Sequence, residues 1–401
     1  VLRFPVSALL LASCLVCPAV CDGADTLAVL PLFNLNESVS ANLNWIGESA
    51  AETVHESLSS AGLLVLARED REEVYRRLSV REGSVLTKAT VIKIAETLDA
   101  GQVIFGEFEV SPDASGQRTL KSNLRLRVHV IDLKKMHEAP PIEENGPLEN
   151  LSQMEMKAAW ALLNQIAPSS AGMEADFLKN RPAVRVESME SYVRGLMAAN
   201  PEQRIKLFTQ SARLDDHFSQ PNFQLGHLYF QRREYKTAEQ WLQKVSKADS
   251  RYQEASFLMG ICRYYGGDFD GASQLFRMVA KELPLNEVYN NLGAALSRKN
   301  DPAAAENFQK ALEGDEADPD YWFNLGFALW RKGNFAQAAD KFRAVLDRSN
   351  NDQDATFFLG RSLRSDGPRA GDPRSEGRER IKTTFEDSAF RQLQAELKGK
   401  K

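Results

Sequence analysis

Histidine, cysteine, serine and the acidic residues carry most nucleophilic, acid–base and metal chemistry. In this 401-residue chain they are scattered. The five histidines are His55, His129, His137, His217 and His227. None pairs with a Cys, His or acidic residue at a metal-ligand spacing, so no metal site is expected. Of the four cysteines, Cys14, Cys17 and Cys21 fall near the start, and Cys262 stands alone two residues after Gly260. In a helical stretch a lone Cys reads as a small packing residue rather than a redox group. The nearest approach to a nucleophile elbow is Gly47-Glu48-Ser49-Ala50-Ala51, whose fifth residue is Ala and which begins a helical run. The chain has no Gly-rich phosphate loop and no H-E-x-x-H. The expectation is a protein without enzymatic activity or cofactor. A net charge of −5 gives no overall bias toward nucleic acid.

What does recur is a scaffold. Gly195, Gly226, Gly260, Gly293, Gly326 and Gly360 stand 31, 34, 33, 33 and 34 residues apart. An interval near 34 marks stacked helical hairpins, each burying its apolar face against its neighbours. The segment from Pro319 carries Trp322, Leu325, Gly326, Gly333, Phe335, Ala338 and Phe342. The segment from Gln253 carries Met259, Gly260, Gly267, Phe269, Ala272, Phe276 and Pro284. Copies from Ser219 and Asn286 keep most of these positions, and those from Ser188 and around Gly360 are partial. Over residues 187–364 this pattern resembles the tetratricopeptide family. Gly and the small Ala are expected where two helices cross closely, and Gly267-Asp268 and Gly333-Asn334 at the reversals.

The resemblance implies a binding surface. In such arrays the first helix of each repeat lines a concave groove. The residues that would face it are Phe223, His227 and Phe230; Phe257, Ile261 and Tyr264; and Phe323, Phe327 and Trp330. Asn290, Ala294 and Ser297 form a polar interruption between them. Within each repeat these residues lie four and three apart, on one helical face. The Lys and Asn arrangement of the chaperone-tail carboxylate clamp is absent. The implied partner is therefore an apolar or helical peptide or a protein, held by a few aromatic anchors.

Residues 25–167 have a different texture. Thr26 to Leu32 and Leu63 to Ala67 are continuous apolar runs suited to buried strands. Asn42 to Ala61, Arg71 to Leu78 and Thr87 to Leu98 have helical spacing. Gln102 to Val110 and Leu120 to Leu133 alternate as a hairpin, with Leu124, Leu126, Val128 and Val130 on one face. His137 to Pro147 reads as a Pro- and Glu-rich linker before a helix through Ile166. The order β-α-β-α-α-β-β-α predicts an α/β layer domain. Ala28-Val29-Leu30-Pro31-Leu32, Leu64-Val65-Leu66-Ala67-Arg68, Ala95 to Ala100 and Val103-Ile104-Phe105-Gly106-Glu107 resemble the N-terminal domain of TolB and the related CsgG and FlgO envelope proteins. That resemblance implies envelope assembly, protein contact and sometimes oligomerisation, and no reaction.

The ends complete the expected organisation. Arg3 followed by the apolar run Val6 to Val16 reads as an export signal over residues 1–24, too short to span a bilayer as a mature helix. Leu11-Ala12-Ser13-Cys14 resembles a bacterial lipoprotein box, in which Cys14 would carry a lipid anchor; the default is the soluble exported form. The expected location is periplasmic or at the outer membrane. Residues 168–186 read as a linker, residues 365–380 as a flexible Gly-, Pro- and Arg-rich linker, and residues 381–401 as a capping helix with a basic end. The fold class is thus α+β multidomain, an α/β layer domain followed by an α-solenoid. Its expected role is a non-enzymatic adaptor. Two other readings stand beside it: a small-molecule or glycan binding module in the α/β domain, and a regulatory domain lacking its output module.

Overall fold

The computed structural model describes residues 26–36, 41–81, 83–386, 389–390 and 392–393. The export segment and Cys14 lie outside the described residues. The first layer domain contains β1 (Leu27–Val29), β2 (Phe33–Asn34), α1 (Trp45–Ser60), α2 (Arg68–Arg77), α3 (Lys88–Thr97), β3 (Gln102–Ser111), β4 (Asn123–Asp132), β5 (His137–Glu138), β6 (Ile142–Pro147) and α4 (Leu151–Ile166). β1 and β2 run parallel to β3, and β4 runs antiparallel to it with Gln102 opposite Asp132. Helices α1 to α3 supply the crossover that parallel pairing requires.

The alternation in the strands sorts residues onto two faces. Leu124, Leu126, Val128 and Val130 pack with α1 and α4 through Val54, Leu58, Ala158 and Leu162. Ala28, Leu30, Val103 and Phe105 pack with α2 and α3 through Val74, Val91 and Ile94. The sheet is therefore the middle of three layers.

Two segments depart from expectation. Leu63 to Ala67 does not build a full strand: only Val65 bridges to Leu27, because α2 begins at Arg68. His137 to Pro147 is not a linker. It pairs with the free edge of β4 as β5 and β6. Glu143 lies 3.7 Å from Arg125 and 3.1 Å from Arg127, so opposite charges across the strands favour a pairing that Pro and Glu would otherwise disfavour.

Residues 168–186, expected as a linker, hold α5 (Pro168–Ala171) and α6 (Glu174–Lys179), whose Ala171 and Phe177 are buried in the same core as α4. That core continues into the helical array through Tyr192, Phe208 and Phe218. Polar contacts reinforce the junction: the Tyr192 hydroxyl lies 3.3 Å from Glu52 Oε1, and Arg251 reaches the same oxygen at 3.4 Å.

The array consists of antiparallel pairs α7 (Val186–Met197) with α8 (Pro201–Leu214), α9 (Gln220–Gln231) with α10 (Tyr235–Leu242), and α11 (Tyr252–Tyr265) with α12 (Phe269–Glu282). There follow α13 (Asn286–Arg298) with α14 (Ala304–Gly314), α15 (Pro319–Arg331) with α16 (Phe335–Arg348), and α17 (Gln353–Leu363). Helix starts are capped by Asn200, Asp268, Asp318 and Asp352, whose side chains accept from first-turn amides. Gly267 and Gly333 turn the chain with φ of 82° and 79°; Arg233 and Asn300 take the same left-handed conformation at 62° and 57°.

The recurring glycines meet the facing helix. A Cβ at Gly195, Gly260 or Gly293 would lie 2.5, 2.7 or 2.8 Å from the ring of Phe208, Phe276 or Phe308, and one at Gly226 would lie 2.5 Å from Leu242. At Gly326 the nearest atoms are 3.1 Å away. Gly360 departs from the pattern: its Cβ would meet only the Arg364 side chain at 3.5 Å, because among the described residues no second helix pairs with α17 as in the earlier repeats. Ile381 to Leu397, expected as a helix, is not helical over residues 381–386; helical residues appear at 389–390 and 392–393, and the remainder lies outside the described residues.

Candidate functional site

The concave side of α11, α13, α15 and α17 is occupied by the chain itself. After α17 the backbone turns back across the array. Arg361, at the buried end of α17, gathers the turn: its guanidinium donates to Asp372 Oδ2 at 2.7 Å and to the Gly367 carbonyl, and it lies 4.8 Å from the Trp330 ring centroid. Trp330 Nε1 donates to the Asp366 carbonyl at 2.8 Å. Residues 365–380, which composition marks as flexible, are thus held by specific polar contacts.

Two asparagines then grip the main chain. Asn324 Oδ1 accepts from the Arg380 amide at 2.8 Å, and its Nδ2 donates to the Arg380 carbonyl at 2.9 Å. Asn291 does the same for Lys382, at 2.9 and 2.7 Å. Asn290 adds a second donor to the Arg380 carbonyl at 2.8 Å. Contacts to both backbone groups of residues i and i+2 are the pattern of an extended strand meeting a partner. Here the partner is a ladder of side-chain amides. Asn291 and Asn324 each stand two residues before a repeat glycine, so the 33-residue period itself sets the ladder. All three asparagines are buried, and the segment satisfies their amides.

Side chains of the segment enter distinct surroundings. The Glu379 side chain is fully enclosed; Oε1 accepts from Ser297 Oγ at 2.6 Å, Tyr264 Oη stands 3.4 Å from Oε2, and Arg331 lies 3.7 Å away. The Arg380 guanidinium lies 3.7 Å from the Phe323 ring centroid and pairs with Asp320 at 3.1 Å and Asp352 at 2.7 Å. Lys382 Nζ sits between Asp318 and Asp320 at 2.6 and 2.7 Å. Burial alone would raise the Asp320 carboxyl, but Lys382 and Arg380 outweigh it and hold it below the usual Asp range. Phe385 then packs on Phe257 with centroids 4.3 Å apart.

The nine residues expected to face a partner therefore do not form an open aromatic wall. Phe257, Tyr264, Phe323 and Trp330 touch the chain's own segment, as above. Phe327 is enclosed between Phe323, Trp330 and Phe358 of α17. Ile261 is buried in the core of the array. Phe223 stacks near His227 with Arg251 over its face, and Phe230 packs edge-on against Tyr235. The rings form the floor because α17 and its neighbours need them for packing. The residues that grip are the polar ones: Asn290 and Ser297, noted in the sequence as an interruption, and Asn291, Asn324, Asp318, Asp320 and Asp352, which were missed. Their signal was available in an Asn two residues before Gly in consecutive repeats, and in Asp at successive helix starts.

The residues of the elbow-like stretch make structural contacts. Glu48 of the elbow-like stretch is buried, and the Arg71 and Arg68 guanidiniums hold its carboxyl low against the burial that would raise it. Ser49 donates to Glu155 at 3.2 Å. Among the described residues no cluster of His, Cys, Asp and Glu is placed to hold a metal ion, and no helix is long and apolar enough to cross a membrane.

Models of the tetratricopeptide repeat match residues 219–252, 291–353 and 328–367. The helical array carries tetratricopeptide repeats. The tetratricopeptide repeat-containing protein trd-1 of Caenorhabditis elegans is 26% identical over 155 residues, 38% of this chain and 20% of that protein. The chain thus spans about a fifth of that relative's length. Among solved structures, YrrB, described as a TPR protein with an unusual peptide-binding site, is 21% identical, with 39% of this chain and 82% of that one covered and a TM-score of 0.35. MamA of Desulfovibrio magneticus RS-1 is 22% identical, with 43% and 99% covered and a TM-score of 0.39. Tetratricopeptide proteins generally mediate protein–protein interactions and are generally non-enzymatic scaffolds.

Proposed function

We propose that this chain is a non-enzymatic adaptor whose tetratricopeptide groove holds an extended peptide by its main chain. The observation that carries the reading is the paired grip of Asn324 on Arg380 and of Asn291 on Lys382. Main-chain recognition supplies affinity for any extended segment, and the acidic residues at the helix starts add selectivity for basic side chains. This replaces the apolar or helical peptide implied by the aromatic residues.

The proposed setting is the bacterial cell envelope. Supporting it are the Arg3-led apolar run and the resemblance of residues 25–167 to TolB, CsgG and FlgO. N-terminal sequencing of the mature protein should give a start between Asp22 and Asp25; an intact N-terminus on a cytoplasmic protein would contradict export.

The groove is tested in the full-length chain carrying Arg380→Glu and Lys382→Glu, which sets like charges against Asp318, Asp320 and Asp352. A labelled peptide of wild-type residues 376–386 should bind this variant with micromolar affinity. Adding Asn291→Ala and Asn324→Ala should weaken binding at least about tenfold, since the groove then lacks several hydrogen bonds to the peptide main chain. Binding indifferent to both asparagines would place the peptide elsewhere.

A further inference from the structure

The segment in the groove has the features of a ligand rather than of a core element. Its hold on the array is mostly polar. The clamp reads main chain, the ion pairs are partly buried, and the apolar contacts of residues 378–386 come from the half-buried Ile381 and Phe385. The rings beneath it are packed by the array without its help: Phe323 lies against Phe342 and Phe358, with centroids 5.7 and 6.0 Å apart. The connection to α17 runs through exposed residues 368–371, and Gly371 and Gly377 take φ of 77° and 70°. Such glycines let the backbone swing without steric cost. The four best-defined contacts fall at Glu379, Arg380, Lys382 and Phe385, and each meets a complementary group.

We propose that residues 378–386 are a displaceable built-in ligand, and that the groove's partner is a protein segment of the same chemistry: extended, with an acidic residue, a basic residue beside it, a second basic residue two further on, and an aromatic three beyond that. This rests on reading the groove as a peptide site. The tether sets the threshold for exchange. A short connection gives an effective concentration on the order of millimolar, so a free segment of micromolar affinity faces a competitor present at up to about 10³ times its dissociation constant. The groove then opens to a partner only when that partner is tethered nearby, is multivalent, or first pulls the tail away.

The test compares wild-type chain with the full-length Arg380→Glu, Lys382→Glu variant, using the labelled 376–386 peptide. The variant should bind it at least about tenfold more tightly than wild type. A second release route leaves groove and tail residues unchanged: a protease site inserted at exposed Ala370, cut and dialysed, should give the same gain. A peptide carrying Glu at the positions of Arg380 and Lys382 should bind neither form. Equal binding to wild-type and released chains would overturn the gating while leaving the groove reading intact. No binding to either released form, with hydrogen exchange confirming that residues 378–386 are free and the helices are folded, would overturn both. Concentration-dependent dimers of wild-type chain, dissolved by excess peptide, would assign the groove to a second copy's tail and overturn the partner-segment assignment.

Discussion

At the scale of single residues, polar groups in unusual surroundings are the ones that carry consequences. Glu155 is buried in the α/β core and accepts from the Ser49 and Thr53 hydroxyls at 3.2 and 2.9 Å, and among the described residues its Oε1 has no hydrogen-bond partner. Burial pushes its carboxyl up to about 8, and the two hydroxyls offset this only in part. The folded state therefore keeps a proton that the unfolded chain loses near the ordinary Glu value. Its contribution to stability is fully present below that value and is lost as pH rises through about 8. Glu155→Gln should be close to neutral at pH 4 and stabilising by more than about 1 kcal/mol at pH 8 in urea titrations. A constant offset at both pH values would show that the carboxyl is ionised in the fold. Arg233 presents a different case: it is exposed and holds φ at 62°, where the matching turns use Gly267 and Gly333. Arg233→Gly should stabilise by about 0.5–1 kcal/mol, read as an upward shift in the urea midpoint. Asn291 and Asn324 illustrate a third kind of residue, buried and polar, bonded to Asn290 within the array and otherwise satisfied by the returning segment.

At the scale of elements, the helix pairs were legible because their packing is local and periodic. Leu or Phe on the second helix meets Gly on the first, and both recur at a fixed interval. Gly293→Leu should cost roughly 1–3 kcal/mol, because Phe308 stands 2.8 Å from the added Cβ and the Ala304 carbonyl 3.1 Å from it. Gly360→Ala should instead gain up to about 1 kcal/mol from helix propensity, since no facing helix crowds it. Equal effects at the two sites, measured by thermal melts, would mean that the glycines do not mark crossings. The strands β3 and β4 were legible for the same reason, through alternation over ten residues each. What stayed hidden depends on pairing between distant segments. β6 exists because β4 has an edge and Arg127 lies opposite Glu143, which no local pattern announces. The run from Ile381 has helical spacing, yet its first residues give up helix for the Asn291 and Asn324 ladder. Helical spacing alone cannot foresee a groove that offers an extended chain a full set of hydrogen bonds.

At the scale of the whole molecule, the α/β domain, the tetratricopeptide array and the returning tail form one connected body. Tyr192 and Phe208 tie the first repeat to the sheet's helices, and a cavity of about 260 Å³ lies where His55 of α1, Arg251 of the array and Phe385 of the tail converge. Release of the tail would therefore be felt at the α/β domain as well as in the groove. It also changes which substitutions test binding. Phe327 and Trp330 are wholly enclosed, so Phe327→Ala with Trp330→Ala should destabilise the array by several kcal/mol, and any loss of binding in that variant would follow from unfolding. The most direct measurement is amide hydrogen exchange at Arg380 and Lys382 in the full-length chain. Both amides should be protected in wild type, and Asn324→Ala with Asn291→Ala should release them to nearly free-peptide rates while the amides of α13 and α15 stay protected. Free-peptide exchange at Arg380 and Lys382 in the wild-type chain would contradict the occupied groove, and with it the peptide grip on which this account of the protein rests.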